Sequence, residues 1–290
     1  MINKEQKHRQ NSFPVFALCG VGAGLFAWQL FHVVTTQYVI EHKKIPAEFD
    51  GFRIVQVSDL HNNHLICREG KLAARISALR PDIIVITGDL VDKTRVNYDM
   101  VLHLVRSLSS IADIYYVPGN HEASLNNRNI LFRKLKLAGA KMLFDRREPI
   151  IRGSESITIS GVIDPRFDIF RSDKVSDRMR MMMHFRDMEP VDPRFFNMLL
   201  VHRPENLTLY TDNRFDLVFA GHAHGGQWRI PPLGGIYVPN QGFFPEYSAG
   251  IYELCDTRMI VSRGLGNSLL PLRINNPFEL IITTLKSEAI

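Results

Sequence analysis

Cysteine is scarce in this sequence, and the little there is has no pattern. The three residues, Cys19, Cys67 and Cys255, show no CxxC or other paired-ligand spacing, so neither a disulfide framework nor a thiolate zinc site is indicated. One bridge, Cys67 to Cys255, stays open for an oxidising compartment. Runs of like charge are also missing. The 35 Lys and Arg against 30 Asp and Glu are scattered, which fits solubility or a diffuse attraction to anionic surfaces better than the concentrated basic face of a nucleic-acid binder. No repeat, low-complexity tract, domain linker or serine or cysteine nucleophile motif interrupts the 290 residues. That length suits one large α/β domain with a full core.

One long apolar run is present. From Phe13 to Val34 there is no Asp, Glu, Lys or Arg, and Lys4, Lys7 and Arg9 precede the run. This is about the 20 residues needed to cross a bilayer core. A cleaved signal peptide has a shorter apolar stretch and a small-x-small site beyond it, whereas this run ends in Phe-His-Val-Val. The reading is therefore a basic tail over 1–12, a retained anchor in the cell membrane over 13–35 and a catalytic domain over 36–290. Lys43 and Lys44 on the far side leave only a small positive-inside margin, which favours a catalytic domain outside the cytoplasm.

Beyond the anchor, strand and helix signals alternate. FRIVQVSD (52–59) and DIIVITGD (82–89) read as buried strands. So do DIYYVPGNHE (113–122), SITISGVID (156–164), FNMLLVH (196–202), FDLVFAGH (215–222), RMIVSRG (258–264) and ELIITTL (279–285). Helical spacing appears in 68–79, in MVLHLVRSLSSIA and in NILFRKLKLAGA. The fold class is α/β.

The polar residues gather at the strand ends. Asp59 and His61, Asp89, Asn120 and His121, His202, and His222 and His224 each sit at or just after the C-terminal end of a strand, where open α/β sheets build ligand sites. Singly, each is an ordinary turn or a buried histidine. Together they make two carboxylates, one amide oxygen and four imidazoles with no thiolate, a set suited to Mn, Fe, Zn or Co. Seven ligands are too many for one such ion and enough for two if one carboxylate bridges.

The ordered blocks DLH (59–61), GDLVD (88–92), GNHE (119–122), VH (201–202) and GHAH (221–224) resemble the motifs of the calcineurin-like metallophosphoesterases. The resemblance implies a four-layer αββα sandwich and two divalent transition-metal ions, manganese first among the candidates. It places the first ion on Asp59, His61 and His224, the second on Asn120, His202 and His222, and makes Asp89 the bridge. His121 would assist the leaving group, oriented by Glu122, while water activated between the two ions attacks phosphorus.

The arrangement of anchor, DGFRIVQVSDLH and GHAHGGQ is similar to the membrane-anchored bacterial branch of that family, which includes phosphodiesterases and UDP-2,3-diacylglucosamine pyrophosphatases of lipid A synthesis. The expected substrate is therefore a phosphodiester or pyrophosphate, lipid-linked or near the membrane; no nucleic acid and no obligate protein partner is expected. A nuclease or phosphoprotein phosphatase of the same fold, or a non-catalytic anchored binding protein, are the alternatives. Two segments bear on the substrate. RMRMMMHFRDM (178–188) reads either as core-filling Met or as an amphipathic cap touching lipid. The Pro- and Gly-rich loop 230–247, with Phe243 and Phe244, reads either as structural filler or as a wall of the site, and Arg273 as either a phosphate-binding or a structural arginine.

Overall fold

The computed structural model describes residues 32–171, 175–267 and 272–288. Two six-stranded sheets stack face to face. The first is built from β1 (Val33–His42), β2 (Arg53–Val57), β3 (Ile83–Ile86), β4 (Asp113–Tyr116), β5 (Ala140–Met142) and the last strand of the chain, β12 (Phe278–Ser287). Its order is β1-β12-β2-β3-β4-β5, with β2 to β5 parallel and β12 running against β2. The second contains β6 (Arg146–Arg152), β7 (Glu155–Gly161), β8 (Asn197–Leu200), β9 (Leu217–Ala220), β10 (Gly250–Leu254) and β11 (Thr257–Val261). Here β7, β8, β9 and β11 are parallel, and antiparallel β6 and β10 close the two edges.

The period-2 alternation of strand side chains sends each strand's residues into two different apolar layers. In β3, Ile83 and Val85 enter the layer between the sheets, with Met198, Leu200, Leu217 and Phe219 from the opposite sheet. Ile84 and Ile86 face the other way, onto α1 (Lys71–Ala78), α2 (Tyr98–Ser109) and α3 (Arg128–Leu137). Leu199 and Val218 meet α4 (Asp177–Asp187) and α5 (Leu207–Asp212) in a third layer. Three apolar layers need four layers of structure to enclose them, and the αββα sandwich expected from the sequence follows. The continuous apolar runs of the central strands reflect burial on both faces. The strands that pattern reading passes over, β5, β6 and β10, are edges. RREPIIR carries charge and a proline, the usual protection of an exposed edge.

The expected anchor over 13–35 falls largely outside the described residues. Val33, Val34 and Thr35 belong instead to β1, which pairs with β12 from its first residue; the β-branched end of the apolar run is sheet. Among the described residues no helix is long and apolar enough to cross a membrane. Cys67 and Cys255 are not bridged. Burial pushes the Cys67 thiol up to about 12, while Cys255 is exposed at the β10–β11 turn.

Helix α4 divides the Met-rich segment between core and surface. Met181 and Phe185 are buried in the third apolar layer, whereas Met179, Met182 and Met183 are exposed. The same helix carries His184, whose Nδ1 lies 2.9 Å from Asp145 and whose Nε2 lies 2.9 Å from Asp168. Burial disfavours the charge on His184, but the two carboxylates outweigh it and its pKa is raised. A raised imidazole pKa stabilises the folded state fully below the unfolded value and loses that contribution as pH climbs through the folded one. The stability difference between wild type and His184→Asn should therefore be largest in mildly acidic solution and shrink towards alkaline pH, as read by Tm against pH. Between the sheets, Ile159→Ala should cost about 2–5 kcal/mol in urea denaturation.

Candidate metal centre

Five strand ends deliver the seven expected ligands to one place. β2, β3 and β4 of the first sheet lead into Asp59 and His61, Asp89, and Asn120; β8 and β9 of the second lead into His202 and the His222–His224 pair. The sheets are knitted together at this rim. Gln56 donates to the Ala220 carbonyl (2.9 Å) and to Thr87 Oγ1 (3.0 Å), Thr87 donates to Ser58 (2.7 Å), and Ser58 donates to Asp59 Oδ2 (2.5 Å). Both Asp59 oxygens also lie 3.1 Å from the His222 amide, which donates to them across the gap. Side chains are excluded where the segments cross. A Cβ on Gly119 would stand 2.2 Å from Asp89 Oδ1, and one on Gly221 2.1 Å from Ser58 Oγ.

Backbone conformation aims the ligands. Asp59 (φ 50), His61 (φ 47), Asp89 (φ 52), His222 (φ 66) and His224 (φ 48) all occupy the left-handed region, at about 1 kcal/mol or more apiece for an L-residue. Such a concentration of strain at strand ends is the mark of a functional site, where the rest of the fold holds the backbone in place.

The donor atoms converge in two sets that meet at Asp89. In the first, His61 Nε2 lies 3.1 Å from His224 Nε2 and 4.0 Å from Asp59 Oδ1, with His224 Nε2 3.4 Å from the same oxygen. In the second, His202 Nε2 is 3.0 Å from Asn120 Oδ1 and 3.2 Å from His222 Nδ1. Asp89 Oδ1 accepts from the His121 amide at 2.8 Å. Its Oδ2 faces His61 Nε2 at 3.6 Å and His202 Nε2 at 3.4 Å, one nitrogen from each set. His202 Nδ1 is 2.8 Å from the Thr87 carbonyl, an acceptor only, so this nitrogen carries a proton and Nε2 is the atom turned to the other ligands.

Electrostatics require cations here. Asp59 and Asp89 are fully buried, and their negative charge has no Lys or Arg ion pair among the described residues. Burial raises Asp59 to about 6. Asp89 is also opposed by burial, yet His202, His61 and His121 hold it well below the carboxylate range. His202 is opposed by burial and lifted by Asp89 to about 10. Burial lowers His222 and His224, leaving them neutral. His61, His222 and His224, kept neutral by burial, and His202, which shares Asp89's charge, point at one another and at carboxylates across 3–4 Å, the arrangement of a ligand set for a shared cation. The residues fit two divalent ions, and the groups Asp59–His61–His224 and Asp59–Asp89–His202 each offer donor atoms close enough to hold one.

His121 and Glu122 have separate tasks. His121 Nδ1 accepts from the Lys93 amide at 3.2 Å, which leaves the proton on Nε2, 4.0 Å from Asp89 Oδ2 and turned towards the ligands. Burial lowers its pKa. Glu122 was expected to orient this ring. Its carboxylate instead accepts from the amides of Asp89 (2.8 Å), Val91 (3.1 Å) and Gly119 (2.8 Å), tying the β3 and β4 loops together. It is a buried acceptor for backbone that has no other partner, and it positions Asp89.

The expected substrate contacts are redistributed. Arg273 is buried behind the site, 3.2 Å from His224 Nδ1 and over the Phe278 ring at 4.7 Å; it backs a ligand and is absent from the cavity. Phe243 and Phe244 are exposed and do not line the cavity either. That cavity, about 360 Å³, opens beside Asp89, Asn120, His121, His222 and His224, and its remaining walls are Asp92, Lys93, Thr94, Arg166, Arg203, Pro239 and Asn240. Arg203 is pinned by Asp164 at 2.7 and 3.2 Å. Apart from Asp92, the last residue of the GDLVD block, no motif signalled these loop residues. The one usable sign was the position of Lys93 and Asn240, close in sequence to the GDLVD block and inside the aromatic loop.

A model of the calcineurin-like phosphoesterase family matches residues 52–226. The chain belongs to that family. It is 31% identical over 277 residues to the metallophosphoesterase YkuE of Bacillus subtilis, an alignment covering 92% of this chain and 91% of the relative. It is 27% identical to the UDP-2,3-diacylglucosamine pyrophosphatase LpxG of Chlamydia trachomatis, over 76% of this chain and 79% of LpxG. It is 25% identical to the phosphodiesterase YaeI of Escherichia coli, over 77% and 78%. As a calcineurin-like phosphoesterase with a converged ligand set, this protein is a metal-dependent phosphoester hydrolase.

Two replacements separate the halves of the site. His224→Ala should weaken the set built on Asp59 and His61, and His222→Ala the set built on Asn120 and His202. Metal analysis of the equilibrated proteins should show each variant retaining less metal than wild type while keeping its fold by circular dichroism. Glu122→Ala, which strands three buried amides, should cost at least about 3 kcal/mol in stability.

Proposed function

We propose that this phosphoesterase hydrolyses phosphodiester or pyrophosphate bonds of a membrane-associated substrate, with two manganese ions as the preferred metals and Fe, Zn or Co as substitutes. The observation that carries the reading is the position of the cavity. Its walls combine the Asp89-centred ligand set with Lys93 and Arg166, and among the described residues neither of those two side chains has an acidic partner. A pyrophosphate, unlike a phosphomonoester, carries a second anionic phosphate, and these two cations suit it; a simple diester rests on the relatives' names instead. The names borne by LpxG and YaeI support the same substrate class, and UDP-2,3-diacylglucosamine is its best specific member.

Divalent cations held by the seven ligands would neutralise the phosphoryl oxygens and lower the pKa of water between them. The chain supplies the rest. His121, neutral with its proton on Nε2, donates to the oxygen that leaves phosphorus. Asn240, whose amide lies 3.4 Å from His222 Nε2, stands at the junction of metal ligand and cavity wall. Lys93 and Arg166 hold the part of the substrate that does not react, and such remote binding energy is what orients the scissile bond. The apolar run of residues 13–34, with basic residues before it, supports attachment to a membrane, and the catalytic domain is assigned to the outer face on the small charge margin.

The protein, stripped and reloaded with Mn²⁺, should cleave bis-nitrophenyl phosphate and lipid pyrophosphates in preference to nitrophenyl phosphate; cleavage of monoesters alone would contradict the substrate class. Asp89→Ala should lower kcat by at least about 10³-fold, because it removes the ligand both ions share. His121→Ala should lower it by about 10²–10⁴-fold on an alkyl diester, and by much less on a nitrophenyl ester, whose leaving group needs no proton.

A further inference from the structure

The end of the fold at which the apolar N-terminal run joins the sheet is also the catalytic end. β1 begins at Val33, paired with Phe278, the first residue of β12. β12 runs antiparallel to β2, so its start lies beside the C-terminal end of β2, where Asp59 stands. Phe278 in turn packs under Arg273, which touches His224. The run over 13–34 therefore enters the described structure one strand away from the metal ligands, with no length of chain to carry it to another face.

At this same rim lies a platform of exposed apolar side chains. Trp228, Ile230, Leu233, Phe243, Phe244 and Ile274 are all exposed, Phe243 to 73% and Leu233 to 63%. Two short hairpins hold them, Arg229–Ile230 with Gly234–Gly235 and Tyr237–Val238 with Gly242–Phe243. Trp228 bridges to Ile274, and its Nε1 donates to the Leu272 carbonyl at 3.1 Å. Pro239 and Asn240, in the turn of the second hairpin, line the cavity. No Asp or Glu occurs between Asp216 and Glu246. Exposed apolar side chains gathered on neighbouring hairpins mark an interaction site, and a group without acidic residues and with Trp and Phe among them is matched to the headgroup boundary of an anionic bilayer.

We infer that Trp228, Ile230, Leu233, Phe243, Phe244 and Ile274 form a bilayer-docking surface that turns the mouth of the catalytic cavity onto the membrane in which the apolar run preceding Val33 is anchored. The inference rests on the membrane attachment proposed above. It explains why a loop rich in aromatics borders the cavity without lining it: the side chains point to lipid, and the turn between them points to the substrate.

The sequence provides its own probe, because Trp28 and Trp228 are its only tryptophans. In the full-length Trp28→Phe protein, reconstituted into vesicles of equal parts phosphatidylcholine and phosphatidylglycerol, all indole emission comes from Trp228. Interfacial apolar faces sit about 5–10 Å into the headgroup and acyl boundary, so acyl-brominated lipids should reduce Trp228 emission about twofold, and aqueous iodide should quench it weakly. Ile230→Glu/Leu233→Glu should restore iodide quenching and abolish the effect of bromine while hydrolysis of a soluble diester is retained. Leu137→Ser/Ile151→Ser, exposed apolar positions elsewhere, should change neither.

Strong iodide quenching with no effect of brominated lipid in vesicle-bound protein overturns the docking surface and leaves membrane attachment standing. Protection from both quenchers also overturns it, because the patch is then covered by residues 13–31 or by a second copy. Failure of the full chain to float with vesicles overturns the attachment as well.

Discussion

Everything at the catalytic rim depends on the single buried carboxylate of Asp89. One of its oxygens is fixed by the His121 amide, and the other looks at once towards His61 and His202, which belong to opposite halves of the site and opposite sheets. A buried carboxylate stays ionised only where positive charge or donors surround it. The protein's own contribution is backbone: three amides on Glu122 fix the loops, and the left-handed turn at Asp89 aims the side chain. The remaining requirement, cations on the open side, is what makes the site a metal centre rather than a polar core.

The sandwich serves this arrangement. Parallel strands deliver their C-terminal ends to a common edge, and stacking two sheets brings two such edges together, so carboxylates from one sheet meet imidazoles from the other. The bond from Gln56 to Ala220 and the contact of Gly221 with Ser58 and Asp59 show how closely the edges are registered. A shift of one residue in either sheet would turn half the ligands away.

How much of this could be read in the sequence follows the same physics. The central strands are buried on both faces and announce themselves as apolar runs, and the ligands were legible because each run ends abruptly in Asp, Asn or His. The charged edges β6 and β10 lack that signal. Loop residues were harder. Lys93, Arg166 and Asn240 form the cavity through turns that have no periodicity, while Arg273, Phe243 and Phe244 lie in the expected segments but face other directions. Sequence order puts Glu122 next to His121 and suggests a ring to hold; only the fold shows three amides closer. Val33 to Thr35 read as the end of an anchor by composition; pairing with β12 decides otherwise.

Two manganese ions sharing Asp89, as proposed, would be magnetically coupled. Low-temperature electron paramagnetic resonance of the fully Mn²⁺-loaded protein should show the spectrum of an exchange-coupled pair, and Asp89→Ala should abolish it. A spectrum of isolated, uncoupled Mn²⁺ at full loading of the wild type would contradict the claim.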